Sequence, residues 1–178
     1  MTTTGNQLIS ATGIKPGQTV LVAGAAGNVG SSAVFTAKQR GANVIAGVLK
    51  SQTNEAKTIG AHQVVATGDT AIANLPPLDA VADTVGGRTA EKLIAKVKPG
   101  GVFASVNRVT PQNAANYPSV KVVFIFSHFD RKTLEFMAEA VRDGKLVIPI
   151  GKKLPLSEAA EAQAEAEKGR IGKILLLP

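Results

Sequence analysis

The 178-residue sequence predicts a single α/β domain in which a doubly wound, mostly parallel sheet lies between two layers of helices. Short apolar runs that fit buried strands alternate with longer segments of helical periodicity. Runs that are apolar on both faces are typical of parallel strands covered by helices on each side. A chain of this length buries roughly 70% of its unfolded surface, so one core is sufficient. We therefore expect a three-layer α/β/α architecture.

The alternation of these runs sets the order of the predicted elements. Residues 1–14 are expected to form a short helix or linker ahead of the first strand. Strands are predicted at residues 19–23, 43–48, 63–66, 79–83, 102–106, 120–126, 146–148 and 173–177. Helices are predicted at residues 29–40, 52–59, 89–97, 131–142 and 157–168. The turn Lys98-Pro99-Gly100-Gly101 is expected to precede the fifth strand.

The first strand runs into a glycine-rich turn that opens a helix, with glycines at positions 24, 27 and 30. The first glycine permits a tight turn, the second lets the backbone approach phosphates, and the third lets the helix lie close to the strand. The helix start adds free N–H groups and a positive dipole end. The alternative is an ordinary turn of an α/β domain. We expect a Rossmann-like site for a dinucleotide pyrophosphate, formed by Gly24, Ala26, Gly27, Asn28, Val29 and Gly30.

The second strand ends without the acidic residue that would hold the ribose 2′-hydroxyl of NAD. Lys50 and Ser51 follow this strand instead, and the nearest carboxylate is that of Glu55. A cation and a hydroxyl suit the 2′-phosphate of NADP(H), which is therefore the predicted cofactor. The alternative is that Lys50 and Ser51 form only a solvated strand exit and a helix cap.

Two later strands end in short polar segments that are expected to border the same groove. Ligands of such sheets bind beyond the carboxyl ends of the strands. The predicted contacts follow the fourth and fifth strands and are Thr84, Val85, Gly86, Ser105, Val106 and Asn107. The alternative is that both segments are ordinary strand-end turns.

The composition of the chain argues against several classes of function. The formal net charge of +7 is spread along the chain, and only 4% of residues are aromatic, so we do not expect nucleic-acid binding. The charge suits a phosphorylated ligand, or serves solubility alone. The sequence has no cysteine and two separated histidines, His62 and His128, so no metal site is expected. It shows neither a signal peptide nor an apolar run that could cross a membrane, and a cytoplasmic protein is expected.

An ordered set of motifs resembles the nucleotide-binding domain of zinc-independent medium-chain dehydrogenases/reductases, in the quinone oxidoreductase-like branch. The motifs are Lys15-Pro16-Gly17-Gln18, the turn from Gly24 to Gly30, Leu78-Asp79 to Gly87, Lys98 to Gly101, Gly144-Lys145-Leu146, Leu154-Pro155-Leu156 and Gly172-Lys173-Ile174. The resemblance implies that residues 1–178 are an NADP-binding domain whose usual N-terminal barrel-like catalytic domain is absent. It also implies hydride transfer from NADPH to a quinone or an activated alkene or carbonyl, with no protein acid or base that can be named.

The resemblance further implies that the strand at residues 120–126 lies at the sheet edge and pairs with its copy in a homodimer. The alternative is an interior strand in a monomer. Phe126 and Ser127, at the end of this strand, are expected beside the nicotinamide.

Other functions stay open. The chain could bind NADP(H) or sense its redox state without turnover, and an NADPH oxidation assay separates the two. Tyr117 and Lys121 have the Tyr-x-x-x-Lys spacing of short-chain dehydrogenases, with Ser105 upstream. That chemistry needs both side chains on one helix face, whereas Pro118 and the β-branched run after it favour extended chain. A methyltransferase would require an acidic residue after the second strand.

Overall fold

The main sheet of the computed structural model has six parallel strands. The structure describes residues 2–107, 115–148, 150–168 and 173–178. The strands are β1 (Thr19–Ala23), β2 (Asn43–Val48), β3 (Gln63–Ala66), β4 (Leu78–Asp83), β5 (Val97–Ser105) and β6 (Lys121–Phe124). They lie in the order β3-β2-β1-β4-β5-β6, which places the reversal of strand order between β1 and β4. The predicted doubly wound, Rossmann-like sheet is confirmed.

Helices cover both faces of this sheet. The α-helices are α1 (Thr2–Thr12), α2 (Asn28–Gln39), α3 (Asp69–Ala73), α4 (Gly87–Ile94), α5 (Arg131–Arg142) and α6 (Ala159–Glu167). Short 3₁₀ turns occupy Lys50–Gln52, Glu55–Ile59 and Leu156–Glu158. The helix predicted at residues 52–59 is therefore replaced by two such turns, and α3 was not predicted.

Successive side chains of β1 point to opposite faces of the sheet, so the core has two halves. Val20 and Val22 pack with residues of α1 and α2, whereas Leu21 and Ala23 pack with residues of α3 and α4. All four side chains are fully buried. Phe35 of α2 also joins a smaller cluster with residues of α5. These clusters confirm the three-layer arrangement, because each face of the sheet is covered by its own helices.

The N-terminal residues, predicted as a short helix or linker, form α1 and belong to the core. Leu8 and Ile9 of this helix are fully buried. Further along, β5 begins at Val97 and includes the Lys-Pro-Gly-Gly turn. Gly100 has a φ of +79°, and the pairing of β5 with β4 shifts register next to this turn. The turn is thus an irregularity within the strand, and Gly100 supplies its left-handed residue.

The strand predicted at residues 146–148 is wrong. The amide of Leu146 donates to the carbonyl of Ala140 at 2.9 Å, and its side chain is buried against α5, so this segment ends the helix. A strand instead occupies Ile150–Pro155 (β7) and pairs in parallel with Lys173–Leu177 (β8) in a separate two-stranded sheet. The sequence of β7 contains a glycine, two lysines and a proline, so its strand signal is weak. Gly172, part of a motif above, lies outside the described residues.

Candidate functional site

The glycine turn between β1 and α2 has the geometry that its three glycines predict. Gly24 adopts a φ of +75°, a conformation that favours glycine. A Cβ atom added to Gly30 would stand 2.0 Å from the carbonyl oxygen of Gly24 and 2.7 Å from the Cα of Ala25. Only a residue without a side chain lets α2 start this close to the turn. At Gly27 the same construction meets one atom, the Gly24 oxygen at 3.2 Å.

The first turn of α2 presents uncapped polar groups. Gly27 is the N-cap residue and makes no side-chain cap hydrogen bond. Within the described ranges, the backbone N–H groups of Asn28, Val29 and Gly30 donate to no protein acceptor. The Oδ1 atom of Asn28 is buried and also lacks a partner. Three unpaired peptide donors at a helix start suit the oxygens of an anionic ligand, whereas the Asn28 Oδ1 atom, an acceptor, would need a hydrogen-bond donor.

The sheet register brings the predicted segments to one edge. Gly47, Ala23, Asp83, Ser105 and Phe124 lie side by side on β2, β1, β4, β5 and β6. Four strand spacings of about 4.8 Å separate the outer two, a span of about 19 Å. The turn at residues 24–30, the segments 84–86 and 105–107, and residues 126–127 all follow these positions. The expectation that they border one groove is therefore consistent with the register.

Asp83 organises the segments that follow β4 and β5, here called the strand-end wall (residues 84–86 and 105–107). Its carboxylate accepts hydrogen bonds from the N–H groups of Val85 and Gly86, both at 3.0 Å, and from the Ser105 hydroxyl at 2.6 Å. The Ser105 oxygen in turn accepts from the N–H of Asn107 at 2.9 Å. The role of Asp83 was missed, although an acidic residue ending an apolar strand was the available signal.

Thr84 joins this wall to the glycine turn. Its hydroxyl donates to the carbonyl of Ala23 at 2.7 Å. A Cβ atom on Gly24 would stand 2.3 Å from the Thr84 hydroxyl oxygen, so the two loops are in direct contact. Val85, the next residue, is 51% exposed. An exposed apolar side chain here is available to pack against a ligand.

Lys50 and Ser51 lie in a 3₁₀ turn just beyond β2, and both are exposed. The neighbouring residue at the end of β3 is Thr67, whose hydroxyl donates to the carbonyl of Val48 at 3.1 Å. Thr67 also lines a cavity of about 210 Å³, together with Asp69, Ile72, Arg88, Thr89 and Lys92. Neither Thr67 nor Arg88 was predicted, because no sequence motif links β3 to α4.

The two cationic side chains that line this cavity, Lys92 and Arg88, differ in whether they form an ion pair. The ammonium of Lys92 forms an ion pair with Asp69, and this contact holds the pKa of Asp69 below its usual value. The guanidinium of Arg88 has no ion-pair partner among the described residues. Lys50 likewise forms no ion pair among the described residues, and the charge of Arg88 contributes to the lowered pKa of Asp69 without a contact short enough for an ion pair.

Side chains of α1 form hydrogen bonds with the segment that follows β6. The side chain of Gln7 accepts from the N–H of His128 at 3.2 Å and donates to its carbonyl at 3.0 Å. The hydroxyl of Thr4 donates to that of Ser127 at 2.9 Å. Phe126 is 82% exposed. These contacts hold residues 126–128 beyond the carboxyl ends of β5 and β6, beside the strand-end wall.

The Tyr-x-x-x-Lys alternative does not fit the structure. Tyr117 lies in irregular chain, and Lys121 is the first residue of β6, so the two do not share a helix face. Lys121 pairs with Val102, three residues before Ser105 along β5, or about 10 Å from the carboxyl end. These residues therefore stand toward the opposite end of the sheet from the glycine turn.

The described ranges hold neither a cluster of metal ligands nor a helix that could span a membrane. No group of three or more His, Asp or Glu side chains there is placed to hold a metal ion. None of the helices in those ranges combines the length and the hydrophobicity that a membrane span requires.

A family model described as zinc-binding dehydrogenase matches residues 59–176, more than half of the chain. The chain belongs to the zinc-binding dehydrogenase family. Membership confirms the resemblance to the nucleotide-binding half of medium-chain dehydrogenases/reductases. The matched region begins before β3 and ends in β8, so it includes the strand-end wall. The family description names zinc, and the zinc independence that the sequence suggested stays a prediction.

The relatives of this dehydrogenase-family chain are longer than it is. An acryloyl-coenzyme A reductase from Sulfurisphaera tokodaii is 31% identical over 177 residues, which cover 93% of this chain and 52% of the reductase. Its counterpart from Metallosphaera sedula is 28% identical and is also 52% covered. The solved quinone oxidoreductase from Coxiella burnetii matches with a TM-score of 0.87 and 31% identity over 97% of this chain and 56% of that one. The chain thus spans about half the length of these relatives.

Proposed function

We propose that this chain binds NADP(H) across the carboxyl edge of its sheet, as the cofactor-binding part of an oxidoreductase. The observation that carries the proposal is the uncapped start of α2, where the backbone N–H groups of Asn28, Val29 and Gly30 lack acceptors. A helix N-terminus that offers free N–H groups is suited to phosphate oxygens. Family membership supports a nicotinamide dinucleotide as the source of those phosphates.

The residues present fit such a cofactor along the groove. Asn28, Val29 and Gly30 would hold the pyrophosphate through their N–H groups, with Gly27 leaving room for its approach. The strand-end wall would border the nicotinamide half, and Val85 would pack against it. When bound, the reduced nicotinamide supplies a hydride. The chain's own part is to orient the dinucleotide and to hold its reactive end beside the strand-end wall.

The preference for NADP(H) over NAD(H) rests on charge. An NAD site would have an acidic residue just after β2. This chain has none there, and the exposed Lys50 and Ser51 follow the strand instead. Arg88, which faces the neighbouring cavity, adds a second cation. A 2′-phosphate would meet two cations and a hydroxyl there, whereas the 2′-hydroxyl of NAD would find no carboxylate.

An activated alkene is the proposed hydride acceptor, with a quinone as the alternative. Two curated relatives are acryloyl-coenzyme A reductases and a third is a 2-haloacrylate reductase, all named for alkenes conjugated to a carbonyl group. The quinone oxidoreductase supports the alternative acceptor. Hydride addition to either acceptor needs no nucleophilic side chain, in keeping with a strand-end wall that has no titratable side chain and rests on the buried Asp83.

Binding without turnover is the second candidate. The residues of the strand-end wall carry no titratable side chain that could move a proton to a reduced substrate, and the carboxylate of Asp83 behind them is buried. A module that binds or senses NADP(H) needs none. This candidate uses the same groove and the same cofactor.

We also propose a homodimer through the sheet edge. β6 is an edge strand, and Phe124 and Phe126 on it and after it are 40% and 82% exposed. The N–H of Ile125 donates to β5, so that of Phe124 points away from the sheet. Phe124→Pro should then preserve the sheet and block pairing between copies. Sedimentation of the variant as a monomer and of the parent as a dimer would support the proposal, and a monomeric parent would contradict it.

The test of function is an NADPH oxidation trace with the purified chain and either acryloyl-coenzyme A or a simple quinone. Oxidation that requires one of these acceptors supports the oxidoreductase and identifies the acceptor class. NADPH binding without oxidation supports the second candidate. If the chain binds no nicotinamide dinucleotide, both candidates are refuted.

A further inference from the structure

Asp83 is a buried carboxylate without a cationic partner among the described residues. Its exposed fraction is 0%, and its two oxygens accept three hydrogen bonds, two from peptide N–H groups and one from Ser105. A buried carboxyl group is costly unless its surroundings form hydrogen bonds with it, as they do here. Asp83 thereby organises the backbone of the strand-end wall.

Every peptide N–H of the strand-end wall that could face a ligand is already occupied. Val85 and Gly86 donate to Asp83, and Asn107 donates to the hydroxyl that Asp83 holds. Thr84 donates to the carbonyl of Ala23 at 3.2 Å, and Val106 to that of Asp83 at 3.1 Å. The carbonyl oxygens of Thr84 and Val85, in contrast, accept from no donor in the described part of the chain.

The two sides of the groove therefore differ in hydrogen-bonding character. The start of α2 offers free donors through Asn28, Val29 and Gly30, whereas the strand-end wall offers acceptors and no free peptide donor. Phosphate oxygens need donors, while ribose hydroxyls and a carboxamide NH₂ can donate to carbonyl oxygens. This difference would distinguish the pyrophosphate from the nicotinamide end of one dinucleotide.

We infer that Asp83 is a positioning residue for the nicotinamide half of the cofactor. It binds the N–H groups of Val85 and Gly86, and through Ser105 that of Asn107, and so fixes the strand-end wall as an acceptor surface. Asp83 touches neither cofactor nor substrate and acts through these two loops. The inference rests on the proposed NADP(H) function and adds a residue to that site.

Three variants test it, each titrated with NADPH and with adenosine 2′,5′-bisphosphate, which lacks the nicotinamide half. Asp83→Ala leaves three donors unpaired, and the dissociation constant for NADPH should rise about tenfold or more while that for the bisphosphate changes less than about twofold. In Asp83→Asn the amide oxygen still accepts from Val85 and Gly86, so NADPH binding should return to within about threefold of the parent. Ser105→Ala should act in the direction of Asp83→Ala, and it keeps the test available if that variant does not fold.

A second readout uses the protein without cofactor. Hydrogen exchange at the amides of Val85 and Gly86 should speed up in Asp83→Ala and stay slow in Asp83→Asn. The inference is overturned if Asp83→Ala binds NADPH as the parent does, if it weakens NADPH and the bisphosphate equally, or if Asp83→Asn is as damaging as Asp83→Ala. If the parent itself binds neither compound, the proposed function fails and this inference with it.

Discussion

Replacing Gly27 with alanine should separate cofactor binding from folding of the glycine turn. Gly27 caps α2 with φ −80° and ψ 170°, a conformation that alanine adopts without strain. The added methyl group meets one atom within 4 Å, the carbonyl oxygen of Gly24 at 3.2 Å. Since that oxygen needs to move by only a few tenths of an ångström, we expect the free energy of unfolding to fall by less than about 1 kcal/mol.

The effect of the same methyl group on binding should be larger. The rest of its surroundings is open, beside the unpaired N–H groups of Asn28 and Val29. Holding the pyrophosphate away from one of these donors costs about 1.5 to 3 kcal/mol, the contribution of a hydrogen bond to a charged group. This corresponds to a dissociation constant for NADPH that is about 10- to 150-fold higher. Gly27→Val, with a branched side chain, should abolish binding.

Gly68 provides the matched control. It caps α3 with φ −79° and ψ 162°, and an added Cβ atom meets nothing within 4 Å. Calorimetric titration with NADPH and urea denaturation of Gly27→Ala, Gly68→Ala and the parent give both quantities. Parent-like NADPH binding by Gly27→Ala would refute the reasoning, as would an equal loss of binding in Gly68→Ala.

Three further predictions concern charge, packing and pH. Lys50→Glu should weaken NADPH much more than NADH, because it places a carboxylate where the 2′-phosphate is proposed; equal losses by titration would contradict this. Gly30→Ala should lower the free energy of unfolding by about 1 to 3 kcal/mol in urea, because its Cβ atom would overlap the Gly24 carbonyl; a stability equal to the parent's would refute the packing. The ammonium of Lys98 and the N–H of Thr19 hold the pKa of Asp79 below its usual value of 3.8. These interactions therefore stabilise the fold at pH values above 3.8, and this stabilisation is lost as the pH falls through the lower pKa of the folded state. Denaturation between about pH 7 and pH 2 should show a smaller loss of stability on acidification in Asp79→Asn than in the parent, and parallel curves would contradict it.

The sequence predicted the sheet well, because its strands carry a strong local signal. The runs that became β1 to β4 are short, apolar and bounded by turns, and their observed bounds agree closely with the prediction. The glycine turn was predicted equally well from the spacing of its glycines. Gly24 has the positive φ that a glycine permits, and Gly30 lets α2 approach the turn closely. Where helical periodicity was short, as at residues 52–59 and in α3, prediction failed because tertiary contacts decide such segments.

The rest of the site depends on contacts that are distant in sequence. Ser105 stands 22 residues from Asp83 and binds its carboxylate, and no local pattern shows that pairing. Thr67 and Arg88 line one cavity from two different elements for the same reason. Strand β7 has a weak propensity of its own and forms through pairing with β8. Local spacing thus predicts single loops, whereas the sheet register determines which loops share a groove.

The measurement that tests the central claim most directly is calorimetric titration of the purified chain with NADPH and, separately, with NADH. A 1:1 complex is expected from the single glycine turn, and NADPH should bind more tightly because Lys50 and Arg88 are available to its 2′-phosphate. Binding of NADPH in preference to NADH would support both the site and the cofactor. Equal affinities would contradict the role of Lys50, and no heat with either nucleotide would contradict the assignment of the glycine turn itself.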